Sequence, residues 1–374
     1  MADNITIDIG DDNNIYIEDI SLNMKDISNN DSTNNDSTNN DVGNIDLTNI
    51  DNSNIDVSNV NMNKDVGNID LNSPVYYLND KIKHIVLTGG GSSGFTIIGV
   101  FNILLKQKYF NFDNIKTIYA SSSGGIAAIV LLLGYDIDEI EKYFINKPWD
   151  KYIKFDPSIF TNLITNKGFI SSEYFMNIVF ESLLAGKNLD SNITLEEFYE
   201  YNNKELHLTT VNINNNFERV NLSYKTHPKL KLLTAIQMTM AIPFVFTPVF
   251  YENGCYVDGG IIDNYPISLC IQETKCKYDE ILGIKKNIDN ITESNELKIS
   301  TETNIIDVFM KYKNYISSTI QQSVDNIKYE INIYGNEAGL NDVYDCMKDK
   351  EIRKKLIEDG YLYAKLFISY MNNM

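Results

Sequence analysis

Two short segments of this 374-residue chain carry side chains suited to acyl-transfer chemistry: Ala120-Ser121-Ser122-Ser123-Gly124 and Asp258-Gly259-Gly260. The first reads as a sharp strand-to-helix turn presenting Ser122. Such a turn forces strained backbone angles on its central residue, so the positions two before and two after must be small. Ala120 and Gly124 meet that demand, whereas Ser121 and Ser123 are out of register with it. Three serines before a helix would equally serve as helix caps. In the second segment a carboxylate stands beside two glycines. Gly259 and Gly260 permit close backbone approach, which would let Asp258 reach a serine on another loop. By itself, Asp-Gly is most often a turn. The histidines narrow the chemistry. There are three, His84, His207 and His227, and all precede Asp258. A triad in the chain order Ser, acid, His cannot be completed with Asp258 as the acid. If Ser122 is the nucleophile, its simplest base is Asp258 itself. Asp263 is the second candidate acid. A carboxylate is a weak base, but partial burial moves its pKa toward neutrality.

A third segment could stabilise charge. Gly89-Gly90-Gly91-Ser92-Ser93-Gly94 follows the short apolar run 84–88 and opens the pattern 95–107, whose Ile98, Phe101, Leu104 and Leu105 share a helical face. Gly89-x-Gly91-x-x-Gly94 fits a dinucleotide loop, an oxyanion hole or a plain turn. A dinucleotide site wants an acid at the end of the second strand, about 20 residues on. Here that strand, 115–119, runs into Ala120-Ser121-Ser122. The position of the cofactor-binding acid holds a candidate nucleophile instead.

The elements that must position these residues alternate. Strands are expected at 84–88, 115–119, 206–213, 217–223, 256–257 and 280–284. Helices are expected at 95–107, from Ser122 to Leu133, 136–144, 171–184, from Thr194, and 230–240. The region from 305 to 374 reads as mostly helical. Alternation of this kind predicts an α/β layered sheet, with the last strands antiparallel. The segment 145–205, between nucleophile and acid, is the candidate lid or acyl-chain wall, and Trp149 within it reads as packing. The run Lys348–Lys355, interrupted by Asp349 and Glu351, reads as a solvated helix face.

Composition separates a leader from the rest. Residues 1–73 are rich in Asn, Asp, Ser and Thr, repeat Asn-Asn-Asp-Ser-Thr, and carry 15 acidic residues against 2 lysines. They hold most of the chain's net charge of −19 and read as a disordered acidic tail. A folded catalytic part is expected at 74–290, with a C-terminal helical extension at 291–374. The absence of a basic face argues against nucleic acid as partner. No apolar run approaches the ~20 residues of a membrane span, and the acidic start is unlike a signal peptide. The four cysteines match no zinc or disulfide pattern, which reads as reduced thiols in an intracellular protein, soluble or peripherally membrane-associated.

In this order, the segments Ile85–Gly94, Ala120–Gly125, Ala241-Ile242-Pro243 with Phe246, and Asp258-Gly259-Gly260 with Asn264-Tyr265-Pro266 resemble the patatin-like phospholipase family over about residues 82–290. The resemblance implies an α/β fold whose central, mostly parallel sheet is sandwiched between helices. It implies Ser122 as nucleophile, Asp258 as its dyad partner and general base, and an oxyanion loop of Gly89, Gly90, Gly91, Ser92 and Gly94. Ala120, Gly124, Gly259 and Gly260 would support the elbow and the acid loop. The implied reaction is phospholipase A-type hydrolysis of acyl esters at a membrane or micelle surface, with peripheral membrane contact, no cofactor and no metal. Ala120 departs from the family's elbow glycine, and Ser93 stands where many members have Arg or Lys. A catalytically weak lipid-binding protein and a soluble carboxylesterase are the alternatives.

Overall fold

The apolar runs become strands that are buried on both faces, as parallel strands flanked by helices must be. The computed structural model describes residues 79–152, 159–288, 299–301, 303, 305–320, 324, 327–335 and 340–373, together with two short strands near the start. Those two, Ile7–Ile9 and Ile15–Ile17, pair antiparallel within a separate unit spanning residues 1–69. Apart from these two strands, the reading of 1–73 as a disordered acidic tail lies outside the described residues.

In the second unit, β1 (His84–Leu87) leads through the glycine loop into α1 (Ser93–Lys106), and β2 (Thr117–Ser121) leads into α2 (Ser123–Leu132). Next come α3 (Ile137–Asn146), α4 (Ile159–Asn166), β3 (Gly168–Ile170), α5 (Ser172–Gly186) and α6 (Leu195–Asn202). The hairpin β4 (Glu205–Asn212) and β5 (Glu218–Leu222) is followed by α7 (Leu232–Met240), β6 (Phe244–Phe246), β7 (Val249–Tyr251) and β8 (Gly254–Asp258). The chain continues with α8 (Ile267–Thr274), β9 (Ile281–Ile288), α9 (Ile305–Ile320), β10 (Tyr329–Gly335), α10 (Leu340–Lys348) and α11 (Lys350–Asn372). Caps form where these helices start: Asp136 accepts the Asp138 amide, Ser171 the Tyr174 amide, and Thr194 with Glu197 closes a capping box.

The main sheet runs β10-β9-β1-β2-β4-β8-β7, with β5 also paired to β4. From β10 to β4 every pairing is parallel. Antiparallel pairing is confined to β5, β8 and β7. The last strands of the chain are therefore parallel, contrary to expectation: α8 and α9 precede β9 and β10 and supply the crossovers that parallel pairing needs. β10 is itself a strand in a region read as mostly helical. Its Tyr329, Ile331 and Ile333 alternate inward with period two.

The C-terminal helix α11 packs along α1. The helices cross where glycine faces backbone: a Cβ on Gly99 would lie 2.0 Å from the Ile357 carbonyl oxygen, and one on Gly360 2.2 Å from that of Thr96. The start of α11 corrects the reading of Lys348–Lys355 as a solvated face. Arg353 within that run is buried. Its Nη1 donates to the carbonyls of Cys346 (2.8 Å) and Met347 (2.9 Å), and its Nη2 to that of Ile145 (2.8 Å). The guanidinium thus fills the orphan acceptors at the C-terminal ends of α3 and α10, where positive charge is favoured. Arg353→Met leaves these carbonyls unpaired, with an expected loss of roughly 2–4 kcal/mol read as a lower urea midpoint.

Candidate active site

Strand β4 brings the candidate residues together. Its Thr209 is the register partner of Ser121, the last residue of β2, and its Thr210 is the partner of Asp258, the last residue of β8. β5 pairs with β4 across Leu208–Asn212 and so occupies the opposite edge. Parallel β2 and antiparallel β8 therefore share one edge of β4 and end head to head at successive positions. Ser122 and Asp258, 136 residues apart in sequence, arrive at the same point.

Their side chains meet. Ser122 Oγ donates to Asp258 Oδ2 at 2.6 Å. Asp258 Oδ1 accepts the Gly260 amide at 2.7 Å, within a one-turn helix formed by Gly259, Gly260 and Ile261. Ser122 adopts φ 51°, ψ −128°, the strained left-handed region that a β-carbon disfavours, at a cost of about 1–3 kcal/mol. The turn is tight on both sides. A Cβ on Gly124 would lie 2.5 Å from the Thr88 carbonyl oxygen, and Ala120 is fully buried within β2. Ser121 and Ser123 keep buried hydroxyls that make no hydrogen bond. Of the three serines, Ser122 alone is directed at a carboxylate.

Asp258 is fully buried. Burial pushes its carboxyl above the ordinary carboxylate range, against the downward pull of the Lys313 ammonium, the Ser122 hydroxyl and the Gly260 amide. Asp263 is placed differently. Its carboxylate takes Arg219 Nη1 at 2.6 Å, which makes it an ion-paired support of the acid loop. The histidines bond elsewhere: His84 to Thr117 Oγ1 at 2.8 Å and His227 to Thr226 Oγ1 at 2.9 Å, while the His207 ring stacks on Tyr119 at 4.1 Å. Among the described residues no group of three His, Cys, Asp or Glu is arranged to hold a metal ion.

The glycine loop stands over the serine. A Cβ on Gly89 would lie 2.8 Å from Ser122 Cβ and 2.5 Å from Asn264 Oδ1, so only a bare backbone passes. Three of its amides are already used: Gly89 N–H donates to the Asn264 carbonyl (2.9 Å), Ser93 N–H to that of Gly90 (3.3 Å) and Gly94 N–H to that of Gly91 (3.3 Å). The amides of Gly90, Gly91 and Ser92 make no such bond among the described residues, so the donors of the expected loop narrow to these three. Ser93 is the first residue of α1 and supplies no cation, but Lys286 of β9 brings its Nζ to 3.4 Å from the Gly90 carbonyl oxygen.

An apolar cavity opens beside the serine. Met240 borders both, with its sulfur 3.7 Å from Ser122 Oγ. The lining includes Gly91, Gly94, Ile98, Ser123, Ile126, Trp149, Phe175, Val179, Phe246 and Met310. Trp149, Phe175 and Val179 belong to the segment expected to wall the site; residues 153–158 of that segment lie outside the description.

A family model described as patatin-like phospholipase matches residues 85–271. The uncharacterized protein R571 of Acanthamoeba polyphaga mimivirus is 30% identical over 226 residues, 60% of this chain and 72% of the relative. The probable lipid hydrolase 463L of Invertebrate iridescent virus 6 is 30% identical over 224 residues, 56% of this chain and 70% of the relative. Among solved structures, VipD from Legionella pneumophila aligns with a TM-score of 0.46 and 16% identity over 78% of this chain and 67% of its own.

Sequence reasoning missed two residues of the site: Thr239 and Met240. Thr239 Oγ1 accepts the Ser122 amide at 2.9 Å and donates to the Thr209 carbonyl at 2.5 Å, tying α7 to the turn. Its only signal was its place at the end of a helix before Ala241-Ile242-Pro243. Thr239→Val leaves a buried N–H and a buried carbonyl unpaired, with an expected loss of about 1–3 kcal/mol in denaturant titration.

Proposed function

The chain belongs to the patatin-like phospholipase family, and from that premise we propose that it is a lipid acyl hydrolase working through a Ser122–Asp258 dyad. One observation carries this reading: Ser122 Oγ stands 2.6 Å from a fully buried carboxylate, with the three histidines bonded elsewhere. Asp258 takes the hydroxyl proton as Ser122 Oγ attacks the ester carbonyl carbon. The amides of Gly90, Gly91 and Ser92 receive the charge that develops on the carbonyl oxygen. The intermediate collapses by breaking the ester bond, and the lysophospholipid or alcohol leaves with the proton returned by Asp258. Water then gives its proton to Asp258 and attacks the acyl-enzyme, which restores Ser122 and releases the fatty acid.

The apolar cavity suits an acyl chain, since Met240 joins it directly to the nucleophile. Among the described residues no helix is long and apolar enough to cross a membrane. A lipid substrate would then be met by peripheral contact with a membrane or micelle surface. Phospholipase A-type cleavage is the specific reaction put forward, with Lys286 at the glycine loop as a cation near the head group.

Fluorophosphonate labelling tests the dyad. Wild type labels, Ser122→Ala does not, and Asp258→Asn labels on the order of 10²–10⁴-fold more slowly. Because burial raises the Asp258 pKa and its anion is the base, labelling falls on acidification at a pH above the ordinary carboxylate range. Folded wild type that fails to label, with and without lipid vesicles, would favour a lipid-binding protein on the same fold.

A further inference from the structure

Helix α9 carries polar residues on the side it buries. Met310, Lys313 and Ser317 form an inward stripe with Ile306, while Ile305, Tyr312 and Ile320 are exposed. The helix packs against the one-turn helix Gly259–Ile261, which begins at Asp258. Met310, three residues before Lys313 on that stripe, lines the apolar cavity with Gly91, Ser123 and Met240. Lys313 is 7% exposed. An ammonium in such a place persists only against an opposite charge. Asp258, which caps the one-turn helix that α9 packs against, is the carboxylate whose charge reaches it.

We propose that Lys313 is a positioning residue of the active site: its buried ammonium holds the Asp258 carboxylate in the anionic form that takes the Ser122 proton. This rests on the dyad reading and adds a residue from outside the part of the chain that carries the family motifs. The other charged groups nearby have separate duties. Arg219 is paired with Asp263 at 2.6 Å, and Lys286 reaches the Gly90 carbonyl. Asp307 lies toward the N-terminus of α9 and is buried too. From α7 the neighbours of the dyad are the uncharged Thr239 and Met240. The direction of the Lys313 effect is fixed by sign. Its positive charge opposes the upward push of burial on Asp258, and the carboxylate opposes the downward push of burial on Lys313.

Two measurements test the proposal. The first is the rate of fluorophosphonate labelling against pH for wild type, Lys313→Met and Lys313→Arg. The acid limb should rise by on the order of one pH unit in Lys313→Met, reach a plateau at higher pH, and return toward wild type in Lys313→Arg. The second is thermal stability across the cycle of wild type, Lys313→Met, Asp258→Asn and the double variant. The double variant should be more stable than additivity of the single changes allows, because neither charge is left alone. A limb that stays in place together with an additive cycle overturns the proposal. So does a double variant that fails to fold when Lys313→Met fails to fold, since Lys313 would then act only as packing. Absence of labelling in wild type with a non-additive cycle would instead refute the dyad chemistry and leave the charge coupling of Lys313 with Asp258 standing.

Discussion

Everything at the site depends on one edge of β4 accepting two strands end to end. A parallel strand and an antiparallel strand that share an edge must meet with their C-terminal ends facing. The residues just past those ends are then forced into contact. Thr209 and Thr210 mark the junction, and both side chains are used to secure it: Thr210 Oγ1 donates to the carbonyls of Met238 and Val257, and Thr209 Oγ1 reaches that of Ala120. The meeting of Ser122 with Asp258 is a property of sheet register rather than of either loop alone.

That junction sustains two unfavourable features at once. One is the positive φ of Ser122; the other is a carboxylate with no exposure to water. Each would relax if its surroundings were loose. Thr239 fixes the Ser122 amide, the Ala241 carbonyl fixes the Asp258 amide at 2.9 Å, and the Gly260 amide fixes the carboxylate. Strain and desolvation are stored where several independent elements over-determine the geometry, as expected of a preorganised site.

Much of this was legible in the chain. Ser122, Asp258 and the glycine loop stood out as an ordered set with small residues at fixed offsets, although each alone reads equally as a cap or a turn. The helix starts at Asp136, Ser171 and Thr194 were legible for the same local reason. What escaped was non-local. Lys313 is one lysine among many until α9 turns it inward, and Thr239 is an ordinary helix-end threonine until β4 lies beside it. Arg353 looked solvated because its neighbours in sequence are charged, whereas its partners are carbonyls of two other helices. β10 did show period-two alternation at Tyr329, Ile331 and Ile333, but its position among helices hid it.

The crossing of α1 and α11 bears on what counts as the smallest working piece of this protein. All the recognisable motifs fall between residues 85 and 271, half of the chain. A fragment cut to those limits would keep every motif residue yet strip β1 of its neighbour β9 and uncover the face of α1 against which Gly360 packs. The glycine loop joins those two elements. Motif content and autonomy therefore part company here: the segment that carries the family motifs leaves behind β9 and α11, the elements that flank β1 and α1.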